Sequence, residues 1–112
     1  MKHKVSELEG ALLDAAVAKA EGYELDSDGD NRTVRDNGGA PSRWRPSTDW
    51  TQGGPIIERE RIATYPPLCV GDYDEWEATV GGKMVGERGP TPLIAAMRAY
   101  VASKFGEEVE LP

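Results

Sequence analysis

From Leu8 onward the apolar residues Leu8, Ala11, Leu12, Ala15, Ala16 and Ala20 recur at the spacing of an amphipathic helix. Ser6 and Glu9 stand three apart at the start of this run, the spacing of a capping box in which each side chain satisfies an unpaired backbone donor. Gly22 supplies a left-handed stop. The stripe is mostly alanine after Leu12, so it permits close approach of another element but buries little area per residue. A second helical pattern is capped by Thr91, has Pro92 in its first turn and ends at Gly106. Its apolar face is Leu93, Met97, Tyr100 and Val101, with Ala96 and Phe105 beside them.

Between the two, the period changes to two. Trp76 to Val80 and Lys83 to Val85 are joined by Gly81-Gly82, the pattern of a hairpin with a two-residue turn. That register sets Ala78 opposite Val85 and turns Trp76, Ala78, Val80 and Val85 toward the core. Ile62 to Tyr65 reads as a third antiparallel strand. As a strand, Ile56 to Arg61 would have glutamates on one face, arginines on the other and no clean apolar side. It is better read as a short helix with Pro55 at its first position, the strand starting near Ile62.

Residues 24 to 55 carry only Leu25, Val34, Ala40, Trp44 and Trp50 as apolar side chains. Loops beyond about 12–15 residues are usually functional, disordered or contain missed elements. The expectation is a flexible loop over about 26–42, with order returning at Trp44; the alternative is a hairpin turning at Asn37-Gly38. Ser47 to Pro55 reads as a compact ordered loop. The pattern therefore predicts a single α+β domain over 1–112, with two helices packed on a small antiparallel sheet and a long irregular loop after the first helix.

Composition narrows the function classes. The chain has 112 residues and a formal charge of −7, from 20 acidic and 13 basic side chains. A domain of this size hides roughly 60–70% of its unfolded surface, and its acidic balance disfavours broad contact with a phosphate backbone. No apolar run approaches the roughly 20 residues of a membrane span, and the basic N-terminus lacks the apolar stretch of a secretory signal. Cys69 has no partner in the chain, so a reducing cytoplasm is the expected setting.

Asp26-Ser27-Asp28-Gly29-Asp30-Asn31 alternates carboxylates as a calcium loop does, but Asn31 and Asn37 stand where an EF-hand needs Gly and Glu. It reads as a solvated acidic loop. With one cysteine and one histidine, His3, there is neither a thiolate–imidazole pair nor a zinc ligand set. The glycine pairs fit turns and match no phosphate-loop pattern. No metal, cofactor or catalytic residue is assigned, and an enzyme is disfavoured without being excluded. Ser42-Arg43-Trp44-Arg45 is the one basic–aromatic cluster and would be the nucleic-acid reading.

The segment from Thr48 to Glu58 combines a carboxylate, an indole, an amide and glycine-flanked backbone groups. Thr48, Asp49, Trp50, Gln52, Gly53, Gly54 and Glu58 are its candidate binding residues. Arg98 joins them as a cation that pairs with Glu58 or faces a ligand. The plainer account has Trp50 filling core space and Asp49 capping the next turn.

Ser47-Thr48-Asp49-Trp50, Gly53-Gly54-Pro55-Ile56-Ile57-Glu58, the Trp76-x-Ala78 pair, and Gly89-Pro90-Thr91-Pro92-Leu93 leading to Ala96-Met97-Arg98 resemble the NinX-like family of small phage and prophage proteins. The resemblance runs through most of the chain except about 24–42. It departs at Ala15-Ala16, where relatives often carry aromatics. It implies a phage accessory protein acting inside a bacterial host, with no established biochemical role to carry over. The leading expectation is a non-enzymatic binding or adaptor protein engaging a host or phage macromolecule. The alternative is a small polar ligand, a nucleotide or metabolite, bound at Asp49, Trp50 and Gln52. A hydrolase using carboxylates alone ranks third.

Overall fold

A computed structural model of the chain describes residues 1–28, 31–35, 42–67, 75–82 and 86–111. In chain order its elements are β1 (Lys2–Lys4), a 3₁₀ turn (Val5–Glu7), α1 (Gly10–Glu21), β2 (Glu24–Asp28), β3 (Asn31–Arg35), β4 (Ser42–Arg43), α2 (Trp50–Glu60), β5 (Ile62–Tyr65), β6 (Trp76–Val80), β7 (Glu87–Gly89), α3 (Pro92–Phe105) and β8 (Glu108–Glu110). The class is α+β, as expected. The described residues hold three α-helices, the two expected to pack on the sheet and a longer form of the short one expected over 56–61, and three small antiparallel sheets where one was predicted: β1-β8, β2-β3-β4 and β5-β6-β7.

The helix α3 is the centre of the packing. Thr91 Oγ1 accepts from the Ile94 amide at 3.1 Å, as its sequence position predicts. Leu93 and every residue from Ala95 to Val101 are buried, because β5, β6 and β7 pack against α3 as do α1 and α2. A helix enclosed on several sides is apolar nearly all round. Phe105, predicted on the buried face, is instead exposed at the last turn, with Lys19 Nζ over its ring at 5.5 Å.

The first helix is corrected in both start and phase. Val5 and Leu8 are fully or almost fully buried, and Val5 N donates to Glu107 O at 2.9 Å. Drawing these residues into the core leaves Val5–Glu7 as a 3₁₀ turn, so the Ser6–Glu9 capping box does not form and α1 starts at Gly10 with no side-chain cap. Its buried face is Leu13, Ala16 and Val17, flanked by Asp14 and Ala18, while Ala11 and Leu12 are exposed. Leu13 and Val17 carry more apolar area than the alanines and set the rotation of the helix. Gly22 ends it at φ 78, as predicted.

The irregular stretch expected after α1 holds a hairpin, with Leu25 opposite Val34, and β4 pairs with β3 through Thr33↔Arg43 and Val34↔Ser42. Val34 is buried and Leu25 packs against the core, so two apolar residues suffice to hold this small sheet down. The predicted Asn37-Gly38 turn, Cys69 and the Lys83–Val85 strand lie outside the described residues.

Strands β5 and β6 pair as expected, Ile62 opposite Val80. The partner of Ala78, however, is Glu87 and not Val85, since β7 lies further along the chain. Gly86 explains the offset locally: a Cβ there would run into Ala78 O and sit 2.9 Å from Thr79 Cγ2. A Cβ on Gly89 would lie 2.8 Å from Ala95 N, so the face carrying Trp76, Ala78, Glu87 and Gly89 is the one beneath α3.

Candidate functional site

The compact loop expected over 47–55 is only half loop. Arg45 O accepts from the Thr48 and Asp49 amides at 3.1 and 2.9 Å, which closes a turn, and α2 then begins at Trp50. Asp49 Oδ1 accepts from Thr51 N at 2.9 Å and from Thr51 Oγ1 at 2.6 Å. The Thr51 hydroxyl, then its amide, hold the Asp49 carboxyl below the usual aspartate range. The helix runs through Gly53, Gly54 and Pro55, although Pro55 removes one intrahelical donor. The helix reading of 56–61 therefore holds, with the strand starting at Ile62; what propensity missed was one more turn before it.

Tertiary contact overrides propensity here. Gly53 is buried where a Cβ would sit 2.5 Å from Leu93 Cδ1 and 2.6 Å from Pro46 O, so only glycine lets α2 lie this close to α3. Ile56 is buried with it. Gln52 Oε1 accepts from Arg45 N at 2.7 Å, and its Nε2 donates to Arg43 O. Behind this segment Trp44 is buried, its Nε1 donating to Asp14 O at 2.9 Å, and Asp14 Oδ1 accepts from Ser47 N at 2.9 Å. The indole of the Arg43-Trp44-Arg45 cluster is thus enclosed against α1 and Tyr23, and offers no open stacking face.

The predicted candidates separate into three groups. Trp50, 54% exposed, Thr48 and Glu58 face outward, with Asp49 and Gly54 half-exposed. Trp50 does not fill core space, and Asp49 does cap α2. Gln52 and Gly53 are committed to holding α2 in place. Arg98 is elsewhere: it is 7% exposed, and its Nε and Nη1 donate to Leu8 O and Arg88 O, both at 2.7 Å. Trp50, Thr51, Gly54, Pro55 and Glu58 are spaced so as to share one helical face. Thr51 and Pro55 were not singled out from the sequence, although the same spacing would have found them had the helix been taken back to Trp50.

Arg98 lines a second feature, a cleft of about 550 Å³ with Ser6, Glu75, Glu77, Gly86, Glu87 and Arg88. Burial pushes the Glu87 carboxyl above the usual range; the Arg98 charge opposes this and Glu107 adds to it. Glu77 pairs with Arg88 at 3.5 Å. Apart from Arg98, nothing along the chain marks this cleft, because its residues come from separate segments and show no motif spacing. Among the described residues, no three histidine, cysteine or carboxylate side chains are grouped to hold a metal, and no helix is long and apolar enough to cross a membrane.

A family model described as Bacteriophage P22, NinX matches residues 4–104. No curated protein matches the chain.

Proposed function

The chain belongs to the bacteriophage P22 NinX family, and from that premise we propose that it is a phage accessory protein of the binding or adaptor kind. In this reading it engages a host or phage protein inside the bacterial cell through the outward face of α2. The observation that carries the reading is Trp50, 54% exposed on the first turn of a helix that is otherwise fastened down. A single exposed apolar side chain is ordinary on a protein surface. Trp50 differs in its support. Asp49 caps the turn, Gln52 ties it to Arg43 and Arg45, and Gly53 and Ile56 fix the inner face. A rigidly presented indole loses little conformational freedom on binding, and tryptophan is enriched among residues that dominate interfaces. Beside it Gly54 and Pro55 give a low surface on which a partner can lie flat, and Glu58 adds a charge at the rim.

The small-ligand reading at Asp49, Trp50 and Gln52 has less support, because both ends of the Gln52 amide already serve the backbone at Arg43 and Arg45. The test uses matched baits, the unaltered chain and Trp50→Ala, in capture from host lysate followed by affinity measurement on the partner recovered. Trp50→Ala should leave the melting temperature unchanged and weaken the partner by about 2 kcal/mol or more, roughly 30-fold in Kd. Equal capture by both baits would sink the assignment to this face.

A further inference from the structure

The cleft under β7 holds two opposite charges that do not touch. Arg98 is more than nine-tenths buried and lines the cleft. Its Nε and Nη1 are spent on the carbonyls of Leu8 and Arg88, while Nη2 donates to no described residue. Glu87 lies on the sheet face beneath α3, opposite Ala78, and its carboxylate makes no hydrogen bond or ion pair among the described residues. The Arg98 charge acts on the Glu87 carboxyl without a hydrogen bond or ion pair between the two. Glu75 and Glu77 line the same cleft, so its negative groups outnumber its two guanidiniums.

We propose that this cleft binds a free α-amino acid, its carboxylate received by Arg98 Nη2 and its ammonium by Glu87. A ligand carrying both charges bridges the two unsatisfied groups at once. A simple anion leaves Glu87 without a partner and meets three glutamates; a simple amine leaves Arg98 Nη2 without an anion. The volume of about 550 Å³ falls within the range of small-molecule pockets and accommodates an amino acid with its side chain. A partly buried carboxylate whose ionisation is disfavoured gains most from an ammonium guest. The cleft shares no residue with the outward face of α2, so the two assignments stand or fall separately.

Amide-detected NMR titration of the full chain tests this with the common L-amino acids, and with ethylamine and acetate as single-charge controls. The expected result is saturable shifts at Gly86, Glu87 and Arg88 for at least one amino acid, with neither control saturating in the same range. Glu87→Gln, which removes no hydrogen bond, should weaken that ligand about tenfold or more. Arg98→Lys should abolish binding. Should it fail to fold, Glu87→Gln still decides, since it keeps the size of the side chain and removes no hydrogen bond. Silence from every amino acid overturns the proposal. So does equal binding by ethylamine, or affinity indifferent to Glu87→Gln.

Discussion

Gly53 and Gly54 are neighbours on α2 in opposite situations. A Cβ at 53 would press on Leu93 and on the Pro46 carbonyl, whereas one at 54 would meet nothing within 4 Å. Alanine favours a helix interior over glycine by about 1 kcal/mol, so the two substitutions separate propensity from packing. Gly54→Ala should stabilise the protein by about 0.5–1 kcal/mol. Gly53→Ala should destabilise it by about 1–3 kcal/mol, because the Pro46 backbone cannot yield as a flexible side chain would. Urea unfolding with an unchanged slope reads both, and equal effects at the two sites would contradict the packing account. The glycine pair was visible in the sequence and suggested a turn. Which glycine was needed, and for contact with what, depended on Leu93, forty residues further on.

At the scale of elements, three helices meet in one cluster of polar side chains. Arg59 of α2 donates through Nη1 and Nη2 to Glu21 of α1 at 3.1 and 2.9 Å. Tyr100 of α3 donates its hydroxyl to Glu21 Oε2 at 2.9 Å and accepts from Arg59 Nη2 at 3.2 Å. Burial first, then the hydrogen bond to Glu21, push the Tyr100 phenol well above its ordinary value, and the bonds to Glu21 and Glu60 raise the Arg59 guanidinium. The folded protein thus keeps the Tyr100 proton where the unfolded chain releases it at about pH 10. The stability tied to this proton is complete below that pH and is lost as pH rises beyond it. Tyr100→Phe should cost about 1 kcal/mol at neutral pH and flatten the decline in melting temperature above about pH 10. Melts across neutral and alkaline pH check this; parallel curves for the two proteins would remove Tyr100 as the group responsible. Nothing in the sequence linked positions 21, 59 and 100. Their meeting follows from where α1 and α2 lie against α3.

For the molecule as a whole, the charge of −7 acts against compaction. Adding salt shortens the screening length from about 30 Å at 0.01 M to about 10 Å at 0.1 M, so the melting temperature should rise over that range. A fall would mean that ion pairs such as Arg59–Glu21 outweigh the general repulsion. The larger architectural point is that three small sheets share α3 as their centre, either directly or through α1 and α2. The strands β1 and β8 join segments near the two ends, with His3 opposite Val109. Each is only three residues long, too short for its pattern to mark it alone.

The α+β class, the Gly22 stop, the whole of α3 with its Thr91 cap, the pairing of β5 with β6, and the helix-to-strand change at Ile62 were all legible in the chain. All but the strand pairing are fixed by residues close together in the chain, and that pairing follows from two strands each marked by its own residues. The phase of α1, the length of α2, the hairpin after α1 and the register of β7 were decided by tertiary structure. In each of these cases the local pattern was weak or misleading: alanines with little area to bury, a glycine–glycine–proline run inside a helix, a polar segment held by Leu25 and Val34, and a strand offset by two residues. The Arg98 cleft belongs to the same category, whereas most of the outward α2 face lies in one segment and was already singled out between Thr48 and Glu58. A site assembled from distant segments is defined by packing around α3, and spacing along the sequence carries no trace of it.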